Sequence, residues 1–98
     1  MKVRWTPQAF QDLKRISDYL FVHHLRLRQR VVKDIYDSAM SLRRHPWSGP
    51  LGSEPGTREL LSARYQNKIV YEVHSSAVHI LHIRHPGADQ PAPPPNVM

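Results

Sequence analysis

Arg58, Arg64, Arg84 and His85, with Lys68 among them, are the side chains of this sequence that could act together on a substrate. Metal-free cleavage of RNA needs a base for the 2′-hydroxyl, a cation for the pentavalent phosphate and an acid for the leaving oxygen. Arginine suits the cationic role through its bidentate fork. His85 ends an apolar run just before Pro86-Gly87, where a side chain often becomes accessible. Its ordinary pKa of about 6.5 lies near working pH, which fits a general acid or base. Tyr65 or Tyr71 could stack on a nucleobase. Each residue also has a plainer reading. The cations fit solvated strand faces, and His85 fits a surface residue at a strand end. Tyr71 is in phase with Ile69 and Val73, which places it in a core.

Seven histidines invite a metal reading, but their spacing opposes it. On a strand His82 points away from His79 and His85, because alternate residues face opposite sides. His79 and His85 share a face yet lie about 20 Å apart at the rise of an extended chain. His23 and His24 are adjacent and diverge. None of these sets matches a tetrahedral site. The chain has no cysteine, so thiol catalysis, disulfides and Cys-type zinc sites are excluded.

The elements that must position these residues follow from periodicity. Lys2 to Trp5 reads as a short strand. Thr6-Pro7 opens a helix, Thr as its cap and Pro at its first position. Phe10, Leu13, Ile16 and Leu20 form the apolar stripe of that helix, with Asp12, Lys14, Arg15 and Asp18 mostly on the other side. His23-His24 marks a break. A second helix carries Leu27, Val31, Ile35, Ala39 and Leu42, widened by Val32 and Tyr36, and Pro46 stops it. The short join predicts an antiparallel helix hairpin. Arg26 and Arg30 share a face of the second helix, and Lys33 follows them.

Residues 46–56 (PWSGPLGSEPG) are a loop. Within it Trp47 and Leu51 are expected to fold back and close the core; the alternative is an exposed anchor for a partner. Three strands follow at about 57–62, 66–74 and 77–85, joined at the last turn by His74-Ser75-Ser76. One edge of such a ladder stays open to a partner strand. Residues 88–98 (ADQPAPPPNVM) are Pro-rich and cannot repay ordering entropy, so they read as a disordered tail to a domain of residues 1–87. The order β-α-α-β-β-β gives an α+β fold: an N-terminal strand and an antiparallel helix hairpin packed on a small antiparallel sheet.

Ninety-eight residues suit a single small core. Fourteen Lys and Arg against eight Asp and Glu give a net charge of +6, which draws polyanions or acidic proteins. No run approaches the roughly 20 apolar residues of a membrane span. The N-terminus lacks the apolar stretch of a secretory signal. A soluble cytoplasmic protein is the expectation.

The chain resembles a known family through Trp-Thr-Pro-x-Ala at the first helix and His45-Pro46-x-x-Gly49 after the second. The resemblance continues through Thr57-Arg58-Glu59-Leu60-Leu61, Ile69-Val70-Tyr71-Glu72-Val73 and Ile80-Leu81-x-Ile83-x-His85. Together and in order these are similar to the RelE/ParE toxins of bacterial type II toxin–antitoxin modules, with wording closer to ParE. The resemblance implies growth arrest through DNA gyrase, no cofactor, and neutralisation by a cognate antitoxin within a hetero-oligomer. It also implies a rival, a metal-free nuclease acting on mRNA in the ribosome, for which Arg58, Arg64, Arg84 and His85 would be the catalytic set. The chain carries no Tyr, Lys or Arg after His85, a departure from the nuclease branch. A third implied reading is an inactive member that only binds antitoxin. Arg26, Arg30, Lys33, Tyr65 and Trp47 are the residues expected to meet antitoxin or target.

Overall fold

The computed structural model describes residues 1–85; the expected Pro-rich tail lies outside the described residues. Six elements follow in the expected order: β1 (Lys2–Trp5), α1 (Pro7–His23), α2 (Leu25–Met40), β2 (Arg58–Leu61), β3 (Lys68–Val73) and β4 (Ala77–Arg84). Thr6 caps α1 as its sequence predicts. Its hydroxyl accepts from the Ala9 N–H at 3.2 Å and donates to the Ile80 carbonyl at 2.7 Å, tying the helix start to the sheet. His24 alone joins the two helices. A 3-10 turn, Ser41–Arg43, ends the hairpin and buries Leu42.

The strands lie in the order β1-β4-β3-β2. β2, β3 and β4 form the expected antiparallel ladder, while β1 runs parallel to β4 from Lys2↔Ala77 to Trp5↔Ile80. The sheet is therefore mixed. A parallel pair requires a long crossover, and here nearly the whole chain supplies it. β1 is half the length of β4, so β4 continues beyond Trp5 without a neighbour on that side.

One helix face and one sheet face bury each other. Ala9, Ile16, Leu20, Val31, Ile35, Ala39 and Leu42 pack on Ile69, Tyr71, Val78, Ile80 and Ile83. The stripe of α1 differs from expectation. Phe10 is 62% exposed, and Ala9 and Asp12 take the inner face with Ile16 and Leu20. Each residue turns a helix by 100°, so choosing Ala9 turns Phe10 outward. On α2 the widening of the stripe also fails at Tyr36, which is exposed, while Asp34 is buried.

The loop departs from expectation too. Trp47 and Leu51 do not close the core; they are 62% and 77% exposed. The core there is closed by Tyr71. Its hydroxyl accepts from Gly49 N–H at 3.0 Å and donates to the Pro46 carbonyl at 2.8 Å. A Cβ on Gly49 would stand 2.8 Å from the Glu59 carbonyl oxygen, so only glycine allows this approach. Leu51 instead bridges Arg58 along the outer edge of β2.

Among the described residues no helix is long and apolar enough to cross a membrane.

Candidate functional site

Two buried carboxylates organise the two ends of the sheet. Asp12, on α1, accepts from the backbone N–H of Ile83 at 3.1 Å and from Gln8 Nε2 at 2.8 Å. The Ile83 N–H belongs to the part of β4 that runs past β1, so the carboxylate replaces the missing strand neighbour. Asp34, on α2, accepts from the backbone N–H groups of Arg64 and Tyr65 at 3.0 and 2.9 Å. It holds the turn between β2 and β3, where Gln66 adopts a left-handed φ of 59°. Burial pushes the Asp34 carboxyl up. The Ser62 hydroxyl, the two N–H donors and the Arg64 charge outweigh it and hold the group below its ordinary value. Sequence reading put Asp12 on the solvent side. The available signal was its spacing of four and eight residues from Ile16 and Leu20, which aligns it with the core.

A β-bulge decides what surrounds Asp12. Tyr71 pairs with Ile80 and Val70 with His82, which leaves Leu81 unpaired and breaks the alternation of β4. The expected opposition of His79 and His82 is lost, while beyond the bulge His82, Ile83 and Arg84 keep their regular alternation. His82 Nδ1 lies 3.6 Å from Asp12 Oδ2, and the His85 ring meets Tyr19 edge-on at 5.8 Å. Both line a cleft of about 480 Å³ between α1 and the end of β4, with Asp12, Arg15, Tyr19 and Arg84. His79 lies elsewhere, stacked on His74 at 4.2 Å. Among the described residues no group of three or more His, Asp or Glu side chains could hold a metal ion.

The four residues set out as a nuclease set occupy three places. Arg84 and His85 share the α1–β4 cleft. Arg64 lines a groove of about 430 Å³ against α2, with Arg30, Lys33 and Asp37. Arg58 donates to the Gly49 carbonyl at 2.8 Å and lies 5.0 Å over the Trp47 ring. Arg58 pairs with Tyr71, and Arg84 with Lys68. Tyr71 and Lys68 are three residues apart on β3 and so face opposite sides of the sheet. The backbones of Arg58 and Arg84 are separated by two strand spacings and three residue rises, roughly 14 Å.

The residues expected to meet a partner also spread out. Arg26, Arg30 and Lys33 are exposed on α2, with Lys33 paired to Asp37. Tyr65 is half-buried against the core. Trp47 is exposed beneath the Arg58 guanidinium. Phe21, Val22 and Leu25 crown the hairpin tip as exposed apolar groups, and Arg28 lies 5.3 Å over Phe21.

The chain is similar to known proteins over nearly its whole length. The sequence profile of a family described as the ParE toxin of the type II toxin–antitoxin system parDE matches residues 3–89. A solved structure of a chromosomal ParDE toxin–antitoxin system from P. aeruginosa is 26% identical. It superposes with a TM-score of 0.75, covering 87% of this chain and 95% of that one. The RelBE2 toxin–antitoxin complex of Mycobacterium tuberculosis contains a chain of the same fold, with 23% identity, a TM-score of 0.63 and coverage of 86% and 95%. So does the YoeB/ParE toxin from Agrobacterium tumefaciens, at 22% identity, a TM-score of 0.59 and coverage of 87% and 98%. No curated protein sequence matches this chain.

Proposed function

We propose that this chain, which belongs to the ParE toxin family of type II toxin–antitoxin systems, arrests growth by inhibiting DNA gyrase and is held inactive by a cognate antitoxin. The observation that carries the target is the separation of the basic residues. One phosphodiester cannot be met at once by Arg58, bound to its loop, and by Arg84, on the other side of the sheet. A metal-free nuclease built on that set would lack its convergence. A gyrase inhibitor needs only a surface, and this chain offers exposed Trp47 under Arg58 with a net charge of +6.

The antitoxin half of the proposal draws support from the likeness to the ParDE system. It also rests on the helix hairpin. Leu25, Tyr36 and Phe21 are exposed there beside Arg26, Arg30 and Lys33. Apolar groups ringed by cations suit an amphipathic acidic segment. Such a complex would be a toxin–antitoxin hetero-oligomer, and the function would need no cofactor.

A second reading is favoured by one observation: Arg84 and His85 do share a cleft. In that reading the chain is a ribosome-dependent mRNA endonuclease. Two measurements after induction of the chain alone separate the readings. Purified chain added to gyrase should suppress DNA supercoiling or trap cleaved DNA, with cellular messages intact by primer extension. New cuts at codon boundaries, abolished by Arg84→Ala or His85→Ala in a folded protein, would replace the gyrase proposal with the nuclease. Normal growth with both targets intact would leave a member that only binds antitoxin.

A further inference from the structure

The loop from Pro46 to Gly52 holds two large apolar groups out in solvent on a fixed backbone. Trp47 is 62% exposed and Leu51 is 77% exposed. Beneath them, the Tyr71 hydroxyl donates to the Pro46 carbonyl and accepts from the Gly49 N–H. Arg58 Nη1 donates to the Gly49 carbonyl at 2.8 Å and to the Trp47 carbonyl at 3.4 Å. The Pro50 carbonyl accepts from the Glu59 N–H at 2.9 Å, and the Gly52 N–H donates to the Thr57 carbonyl at 2.8 Å. An exposed tryptophan on a backbone already fixed loses little entropy on binding, which suits it to anchor an interface.

The surroundings of this loop are cationic. Arg43, Arg44 and His45 are exposed. The N–H groups of Arg44 and His45 donate to the Ser41 carbonyl, and that of Ser48 donates to the His45 carbonyl, so the chain turns tightly here. Three residues separate Arg44 from Trp47, which keeps their backbones within about 11 Å. Among the described residues no carboxylate pairs with Arg43, Arg44 or Arg58. Asp12, Asp18, Asp37, Glu59 and Glu72 pair elsewhere, and Asp34 is taken by the Arg64 and Tyr65 N–H groups. The C-terminus of α2 contributes about half a negative charge, less than either free guanidinium. The hairpin tip lies at the other end of this 16-residue helix, roughly 24 Å away at the rise of an α-helix.

We propose that residues 43–51 anchor the chain to its target protein. Trp47 and Leu51 enter an apolar pocket, and Arg43 and Arg44 meet carboxylates on the rim of that pocket. The inference rests on the gyrase reading and names the chemistry of the gyrase surface that receives the chain. Leu51 separates a protein from DNA as the occupant. An exposed aliphatic side chain gains nothing from a phosphate backbone and gains from burial in a pocket. Tryptophan and arginine are also the side chains that dominate binding at protein interfaces.

The test is binding of the full 98-residue chain to immobilised gyrase holoenzyme, together with inhibition of supercoiling. Trp47→Ala should weaken both about thirtyfold or more, the scale of an interface anchor. Arg44→Glu should slow association about tenfold at low salt. Lys14→Glu, which changes the net charge equally on the exposed side of α1, should leave both readouts within about twofold of wild type. All three replace exposed side chains, and thermal melts report whether each variant is folded. Wild-type inhibition matched by a folded Trp47→Ala variant would overturn the anchor and leave the gyrase reading standing. Equal losses in Arg44→Glu and Lys14→Glu would reduce the rim to net charge and overturn its assignment. A short DNA duplex bound as tightly as gyrase, with that binding lost in Arg44→Glu, would give the cations to DNA and overturn the acidic pocket. Wild-type chain that neither binds nor inhibits gyrase would remove the gyrase reading and this inference together.

Discussion

Asp34 shows how one carboxylate can fix a turn. It satisfies two backbone N–H groups that the sheet leaves over, and the donors keep it ionised despite burial. Asp34→Ala should cost about 2–3 kcal/mol, the scale of leaving buried donors unsatisfied. In a domain of this size that lowers the melting temperature by roughly 10–20 °C. The folded carboxyl titrates below its ordinary 3.8, so its ionised form stabilises the fold above that value. That contribution disappears as pH falls through the folded value. Melts of wild type and Asp34→Asn should therefore differ at neutral pH and converge in acid. A gap that persists in acid would remove charge from the explanation. None of this was legible from Asp34 alone, because its burial depends on the turn at Arg64 and Tyr65, thirty residues away along the chain.

Element boundaries were legible wherever a local rule governs them. The Thr6-Pro7 start and the strand limits fall within two residues of expectation, while α2 ends at Met40 and a 3-10 turn, Ser41–Arg43, fills the space before Pro46. Thr6 adds a tertiary bond that no local rule contains, its hydroxyl on the Ile80 carbonyl. Thr6→Ala should cost about 1–2 kcal/mol, and Thr6→Ser, which keeps the hydroxyl, much less. Chemical denaturation of both variants reads the difference. Equal losses would mean that the methyl group rather than the hydroxyl matters. Facing was less legible than extent. The stripe of α1 turned by one residue, exposing Phe10, and the unpaired Leu81 put Ile83 with Ile80 on the core face of β4 and His82 on the other. A one-residue shift in a strand exchanges its faces, and sequence alternation cannot show where it occurs.

At the scale of the whole molecule, the charge of +6 and the exposed hairpin tip predict how a partner arrives. Association with an acidic antitoxin should be steered, its on-rate falling about tenfold or more from low to high salt. Arg30→Glu should slow association while leaving dissociation nearly unchanged, measured by stopped-flow or surface methods. A rate insensitive to salt would point to an interface carried by the apolar tip alone. By itself the sequence determined the element order, the two-layer α+β class and the basic character. Helix stripes, caps and strand runs are set within a few residues and need no distant partner. Tertiary structure alone decided that β1 lies parallel to β4, that Arg58 is parted from Arg84, and that α1 meets the end of β4 in a cleft. Those outcomes depend on strand order, on a single bulge and on how far β4 outruns β1, and each is set by packing between segments far apart in the chain.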